Sequence, residues 1–395
     1  MTTNVLGGNA LARVFVRDAL NRIIGFGLLF LMLFRLGHAL GLVGWTAAVF
    51  IDAGPGILIG LVASRWQWRW PFLSSLQTLA GVRIVGLGLM AVIHNPWALA
   101  GAYLVTSMAS HLGAPIRSTW ISLIVDPAQY ESVSGLLEST VAIAGVVGPS
   151  LASLGWSLVG WRDLMFILIG LNLIGIMMVW NLPNPRVEAR PRVVAGTADR
   201  TPKWLSRVLL VALLGSMAGG ILTVLLIPLI TTIVHMPLAS AGYMDSLMGG
   251  GAIIGSMVVI TTHRHLVNRA ALFPALGIGA VFMAVLPIAP NFYVIAMAMT
   301  VIGVVEGMVM GVVPSLFMRL PKEGRMRGFA HLQLVSYGGL SLGAISALAT
   351  RWVGLRGTML MAAFLFGLSA VVFPALPKSA RENEAPRDKD VSSPL

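Results

Sequence analysis

Long apolar runs, each about the length needed to cross a bilayer, recur along almost the whole of this 395-residue chain. A spanning helix takes about 20 mostly apolar residues, because the hydrocarbon layer is roughly 30 Å thick. The polar breaks leave room for twelve such segments. They fall near residues 10–34, 39–64, 73–93, 97–117, 130–156 and 162–182, then 205–233, 238–262, 270–288, 292–318, 326–350 and 355–376. In lipid every backbone polar group must be satisfied within the protein, so segments of this kind fold as helices. The expectation is an all-α membrane protein with twelve transmembrane helices. Composition agrees, with only 11% charged residues against about 25% in an average soluble domain.

The longest polar interruption within the chain, from Pro183 to Lys203, carries Arg186, Arg190, Arg192, Arg200 and Lys203 among prolines and small residues. It divides the chain into a six-helix bundle over residues 1–182, a cytoplasmic linker over 183–204 and a second six-helix bundle over 205–377; residues 378–395 are charged and read as a disordered cytoplasmic tail. The net charge of +12 follows topology and does not imply nucleic acid. With the N-terminus inside, the cytoplasmic loops hold Arg65, Arg69, Arg117, the linker, Arg264, Arg269, Arg319, Lys322, Arg325 and Arg327, while the outer loops hold Arg35, Arg162, Arg351 and Arg356. Both termini are therefore expected in the cytoplasm. Cysteine is absent, which rules out disulfides and thiolate metal sites.

The two halves echo each other. Pro127, Gly145, Gly160 and Arg162 recur at an offset of 194 residues as Pro321, Gly339, Gly354 and Arg356. A duplicated six-helix unit places a transporter's substrate site at mid-membrane between the repeats. In the fifth segment, Gly145, Gly148, Ala152 and Ser153 lie at three- and four-residue spacing around Pro149. Small residues there admit a closely packed partner helix, and the proline removes one backbone hydrogen bond. Ordinary small-residue packing is the plainer account of the same pattern.

Several stretches, in this order, resemble the major facilitator superfamily, and within it the multidrug, macrolide and siderophore exporter branch. Residues 60–69, GLVASRWQWR, are similar to the loop motif G-x-L-A-D-R-x-x-R-R, with Gly60, Arg65 and Arg69 in place and Ser64 where the family has its acid. Arg83 matches the branch's third-helix arginine, and Pro115 with Arg117 resembles the P-x-R at the inner end of the fourth helix. Gly145, Gly148 and Pro149 resemble the fifth-helix antiporter motif, with Ala152 and Ser153 in place of later glycines. Residues 321–328, PKEGRMRG, with Arg325 and Arg327, resemble the branch's P-x-x-x-R-G-R loop. The resemblance implies two pseudo-symmetric six-helix bundles, in the inner (plasma) membrane, working as a monomer and without cofactors.

Ionisable residues inside spanning segments are candidate functional sites, because each is costly to insert. Asp52 lies midway along the second segment before Gly54, Pro55 and Gly56; it reads either as a proton-coupling or substrate group or as a structural partner for a neighbouring helix. Glu306 lies between Gly303 and Gly307, glycines that leave space for a substrate beside the carboxylate. Asp18 sits four residues before Arg22, at ion-pair spacing, and has a coupling role as its other reading. Glu138 is a partner for Arg117 or Arg83, and Arg83, which stays charged, needs an acid such as Glu138 or Asp18. Asp245 lines an outer vestibule or occupies a solvated rim. His111, in register with Ser107 and Ser110, is a titrating group or a packing histidine. Trp66, Trp68 and Trp70 read as headgroup anchors. Met244, Met248, Met308 and Met310 are placed facing the cavity, as adaptable apolar contacts.

An enzyme of this kind needs a convergent metal or nucleophile constellation, and the sequence offers no His-x-x-x-His, cysteine or phosphate loop. The reading is a secondary active transporter exporting hydrophobic or amphipathic, drug-like molecules in exchange for protons. A narrow-specificity metabolite, lipid or siderophore carrier on the same fold is the alternative.

Overall fold

The computed structural model describes residues 8–63, 71–124, 130–182, 203–261, 269–288, 291–318 and 322–373. The elements in chain order are α1 (Gly8–Leu40), α2 (Leu42–Ala63), α3 (Phe72–Val92), α4 (Pro96–Ile124), α5 (Tyr130–Val179), α6 (Lys203–Pro228), α7 (Leu238–Thr261), α8 (Arg269–Val285), α9 (Phe292–Met318), α10 (Lys322–Ser346) and α11 (Thr350–Val372). The polar linker and the C-terminal tail expected from sequence lie outside the described residues.

Apolar composition makes these segments helical, and glycines decide where they turn. Gly41 adopts a left-handed φ of 61°, and its amide donates to the Gly37 carbonyl at 2.8 Å. This is the αL stop that glycine allows at a helix C-terminus. The first helix thus runs to Leu40, past the expected end near residue 34. The sequence reading stopped at Arg35, but its guanidinium lies 5.6 Å from the centre of the Trp161 ring, so the charge is accommodated within the bundle. In the same way α4 continues to Ile124, beyond the expected residue 117, because Arg117 has an internal partner.

α5 is one continuous 50-residue element containing two spans. At Gly160 the backbone leaves helical geometry, with φ 78° and ψ 179°. A Cβ on Gly155 would lie 2.6 Å from Leu164 Cδ1; nine residues apart in a straight helix, the two backbones would be about 13.5 Å apart along the axis. The chain therefore doubles back. The second half repeats the device: Gly354 in α11 has φ 72° and ψ 169°, and Thr350 Oγ1 reaches Thr358 Oγ1 at 3.1 Å across the bend. These two glycines are the pair that the 194-residue offset matches.

Packing follows the same pseudo-symmetry. Within the halves α1 lies on α5 as α6 lies on α10; between them α5 meets α7 as α10 meets α2. The core runs through both halves, with Ile24, Leu31, Leu225 and Met299 fully or almost fully buried. Outside, apolar side chains such as Trp97, Val85, Met177 and Phe364 are exposed. A polypeptide apolar within and without needs lipid around it.

Candidate functional site

One polar chain crosses from the first half to the second. Tyr103 Oη donates to Asp52 Oδ1 at 2.8 Å, and Ser107 Oγ donates to the Asp52 backbone carbonyl at 3.1 Å. One turn further along α4, His111 Nδ1 lies 3.3 Å from Ser107 Oγ, and its ring meets the Tyr337 ring of α10 edge-on with centroids 5.1 Å apart. Tyr337 seats directly on α2, since a Cβ on Gly56 would lie 2.6 Å from its Cδ2. Gly56 thus makes room for an aromatic ring of the opposite half, while α2 stays helical through Pro55. Asp52 and His111 are brought together as neighbours in electrostatic range. Tyr103, Ser107 and His111 occupy one stripe at four-residue spacing. The sequence reading included the last two and passed over Tyr103, which that spacing identifies.

A second site joins Asp245 of α7 and Glu306 of α9, both half-buried and within electrostatic range of each other. The expectation that Gly303 and Gly307 leave space for substrate is overturned. Cβ atoms there would overlap the carbonyls of Met248 and Ala252, and those on Gly251 and Gly255 would overlap the carbonyls of Thr300 and Val304. These four glycines bring α7 and α9 into backbone contact, the close approach that small residues permit in membranes. The zipper carries Asp245 to Glu306, away from the solvated rim reading. Among the described residues neither carboxylate forms an ion pair. The methionines divide: Met244 and Met308 are packed in the core, Met248 is half-buried and Met310 is exposed.

A third cluster surrounds Asp18, only 2% exposed. Arg22 Nε donates to it at 2.9 Å, Thr140 Oγ1 at 2.8 Å, and Arg117 binds its other oxygen. The spacing argument for Arg22 holds, and Arg117 is a further partner of Asp18 that the sequence reading did not propose. Arg83 is buried, and among the described residues its three nitrogens have no hydrogen-bond partner, so the expected pairing with Asp18 is not formed. Glu138 lies in α5, but its side chain is outside the described set, as are the side chains of Arg325 and Arg327 in α10. Arg65 and Arg69, Ser64 and the three tryptophans at 66, 68 and 70 also fall outside it, whereas Gly60 is buried in α2.

The small residues of α5 serve two neighbours. Gly148 faces α1, where a Cβ on Gly27 would lie 3.0 Å from the Gly148 carbonyl oxygen. Gly145, the Pro149 carbonyl and Ser153 face α7: a Cβ on Gly249 would be 2.7 Å from the Gly145 carbonyl carbon, and one on Gly242 would be 2.9 Å from the Pro149 oxygen. Ser246 Oγ donates to the Val146 carbonyl at 2.6 Å and lies 2.6 Å from Ser150 Oγ. On the other seam Thr46 Oγ1 donates to the Ala344 carbonyl at 3.2 Å. The Thr46–Ala344 contact and the α5–α7 contacts from Gly145 to Ser153 run from mid-helix toward the end that bears the α1–α2 turn, whereas Tyr337 meets Gly56 further along α2. An apolar groove of about 520 Å³ between α3 and α4, lined by Val85, Leu89 and Val105 among others, opens on the lipid-facing side and holds none of these polar groups.

Two solved structures share the architecture. A bacterial homolog of the human lysosomal transporter Spinster, in an inward-facing and unoccupied conformation, superposes with a TM-score of 0.70 at 12% identity, over 94% of this chain and 96% of that one. A POT family transporter in complex with a thioalcohol-conjugated peptide gives 0.72 at 11% identity, over 92% and 94%. No curated relative matches the sequence. Likeness at such low identity establishes the fold, and the sequence itself matches the Major Facilitator Superfamily over residues 22–323, more than half of the chain. The chain therefore belongs to the Major Facilitator Superfamily, whose members are secondary transporters of small molecules by alternating access and not enzymes.

Proposed function

We propose that this transporter exports hydrophobic or amphipathic small molecules in exchange for protons, in the manner of the multidrug, macrolide and siderophore exporter branch that its motifs resemble. The observation that supports the reading best is Asp52, a protonatable group linked through Ser107 and His111 to Tyr337 on the opposite half. A charge at mid-membrane costs about 2.5–3.5 kcal/mol on insertion scales, so a carboxylate retained there needs a use. Protonation removes the charge that Tyr103 serves and that lies in electrostatic range of His111, the residue packed on Tyr337 at the seam, which biases the halves between two arrangements. The paired carboxylates Asp245 and Glu306 offer a second place where a proton, or a cationic group on the substrate, relieves mutual repulsion.

The basic loops favour cytoplasmic termini and the resemblance to the exporter branch favours the plasma membrane, with the two bundles divided at residues 183–204. In that orientation the Thr46–Ala344 and Ser246–Val146 contacts lie from mid-membrane outward, which supports an inward-facing state, and the resemblance favours a monomeric carrier. Each proton entering down a 100 mV potential supplies about 2.3 kcal/mol.

Everted vesicles containing the protein, given fluorescent amphipaths with and without an imposed proton gradient, test this. Gradient-dependent accumulation lost in Asp52→Asn is the expected result. Full proton-driven accumulation in both Asp52→Asn and Glu306→Gln removes the coupling assignment. Absence of accumulation across a broad panel by folded protein favours the narrow-specificity carrier.

A further inference from the structure

Two acids of the first half sit in separate clusters. Asp52 is served from α4 by Tyr103, and Asp18 is held by Arg22, Arg117 and Thr140. One residue of the second half is within reach of both. Tyr337 of α10 lies in electrostatic range of Asp52, and also of Arg22 and Arg117, the two guanidiniums paired with Asp18.

Its ring is fixed by two helices of the opposite half. On α2 a Cβ at Gly56 would lie 2.6 Å from Tyr337 Cδ2 and 2.8 Å from Cε2, and on α4 the His111 ring meets it edge-on. Among the described residues, the charged groups in range of Tyr337 come from α2 (Asp52), α1 (Arg22) and α4 (Arg117); α6 and α9, which also pack on α10, set none against it. Ser341, one turn further along the same face of α10, is 3% exposed, and its hydroxyl has no hydrogen-bond partner among the described residues. Beyond it the seam is tied by Thr46 to the Ala344 backbone. Tyr337 is thus the α10 side chain that answers the charges of the first half. A phenol both donates and accepts, so a carboxylate on one side and guanidiniums on the other favour the same orientation of its dipole.

We propose that Tyr337 is a positioning residue of the coupling step, whose hydroxyl ties the placement of α10, and with it the second half, to Asp52 and to the Asp18 cluster together. This rests on the reading of Asp52 as the proton-coupling group, and adds a residue of the second half that responds to its charge.

The test uses the full-length protein in detergent. The chain has no cysteine, so spin labels can be placed on His38→Cys and Arg351→Cys, at exposed positions of α1 and α11, and the distance between them followed over a pH series by pulsed electron paramagnetic resonance. The wild type is expected to pass between two distances with a defined pH midpoint, and Asp52→Asn to show no transition. Tyr337→Phe keeps the ring against Gly56 and removes the hydroxyl that favours a charged Asp52. Its midpoint is expected to move to higher pH by about half a unit or more. An unchanged midpoint, or one moved to lower pH, overturns the proposal and leaves the coupling reading standing. A midpoint that moves in Tyr337→Ala but not in Tyr337→Phe also overturns it, because ring packing is then the whole effect. A wild type without a transition, or Asp52→Asn with the wild-type transition, removes the coupling reading and the proposal with it.

Discussion

Asp18 ties α1 to α4 and α5 in the first half by accepting from Arg22, Arg117 and Thr140 at once. Removing one member of a buried ion pair strands the others, at a cost of about 3–5 kcal/mol. Asp18→Asn is therefore expected to lower unfolding stability by that order, read from denaturation of the purified protein. Thr140→Ala, which deletes one hydrogen bond to a charged group, is expected to cost about 1.5–3 kcal/mol. The spacing to Arg22 was legible in the sequence. The contributions of Arg117 and Thr140 were not, because those side chains lie 99 and 122 residues away and nothing local announces them. Tyr103 is a different case, since it continues the Ser107–His111 stripe and only its identity as a hydrogen-bond donor to Asp52 needed the fold.

At the level of elements, glycines fall into separate functions that composition alone merges. Gly251 has the Thr300 carbonyl against its Cα, whereas Gly250 beside it faces open space. Gly250→Ala is expected to leave expression and unfolding unchanged or slightly improved, while Gly251→Ala pushes α7 from α9, separates Asp245 from Glu306 and lowers both stability and transport. Equal tolerance of the two substitutions would contradict the zipper. Gly160 and Gly354 do another job, holding φ near 78° and 72° in a region that is essentially restricted to glycine, where other residues pay about 1–3 kcal/mol. Gly160→Ala and Gly354→Ala are each expected to destabilise by about that amount in denaturation of the purified protein. The sequence showed both glycines through their common offset, and their positive φ gives the offset a physical meaning.

Across the whole molecule, the seams formed by α2 with α10 and by α5 with α7 have to open for access to alternate. The absence of cysteine makes this directly testable: a Thr46→Cys, Ala344→Cys pair is expected to cross-link on oxidation, stop transport, and recover on reduction. Continued transport by the cross-linked protein would show that this seam does not move. Apolar runs of spanning length, with short polar breaks, were enough to determine a helical membrane protein, because lipid leaves the backbone no other way to satisfy its hydrogen bonds. The repeat and the motifs likewise pointed to the superfamily before any coordinates. What only the tertiary structure decided was which intramembrane charges meet. Arg117 reaches Asp18, Asp245 comes into electrostatic range of Glu306, and Arg83 hydrogen-bonds no side chain among the described residues, because helices distant in sequence set these distances by packing glycine against backbone, and a linear chain carries no record of which faces will touch.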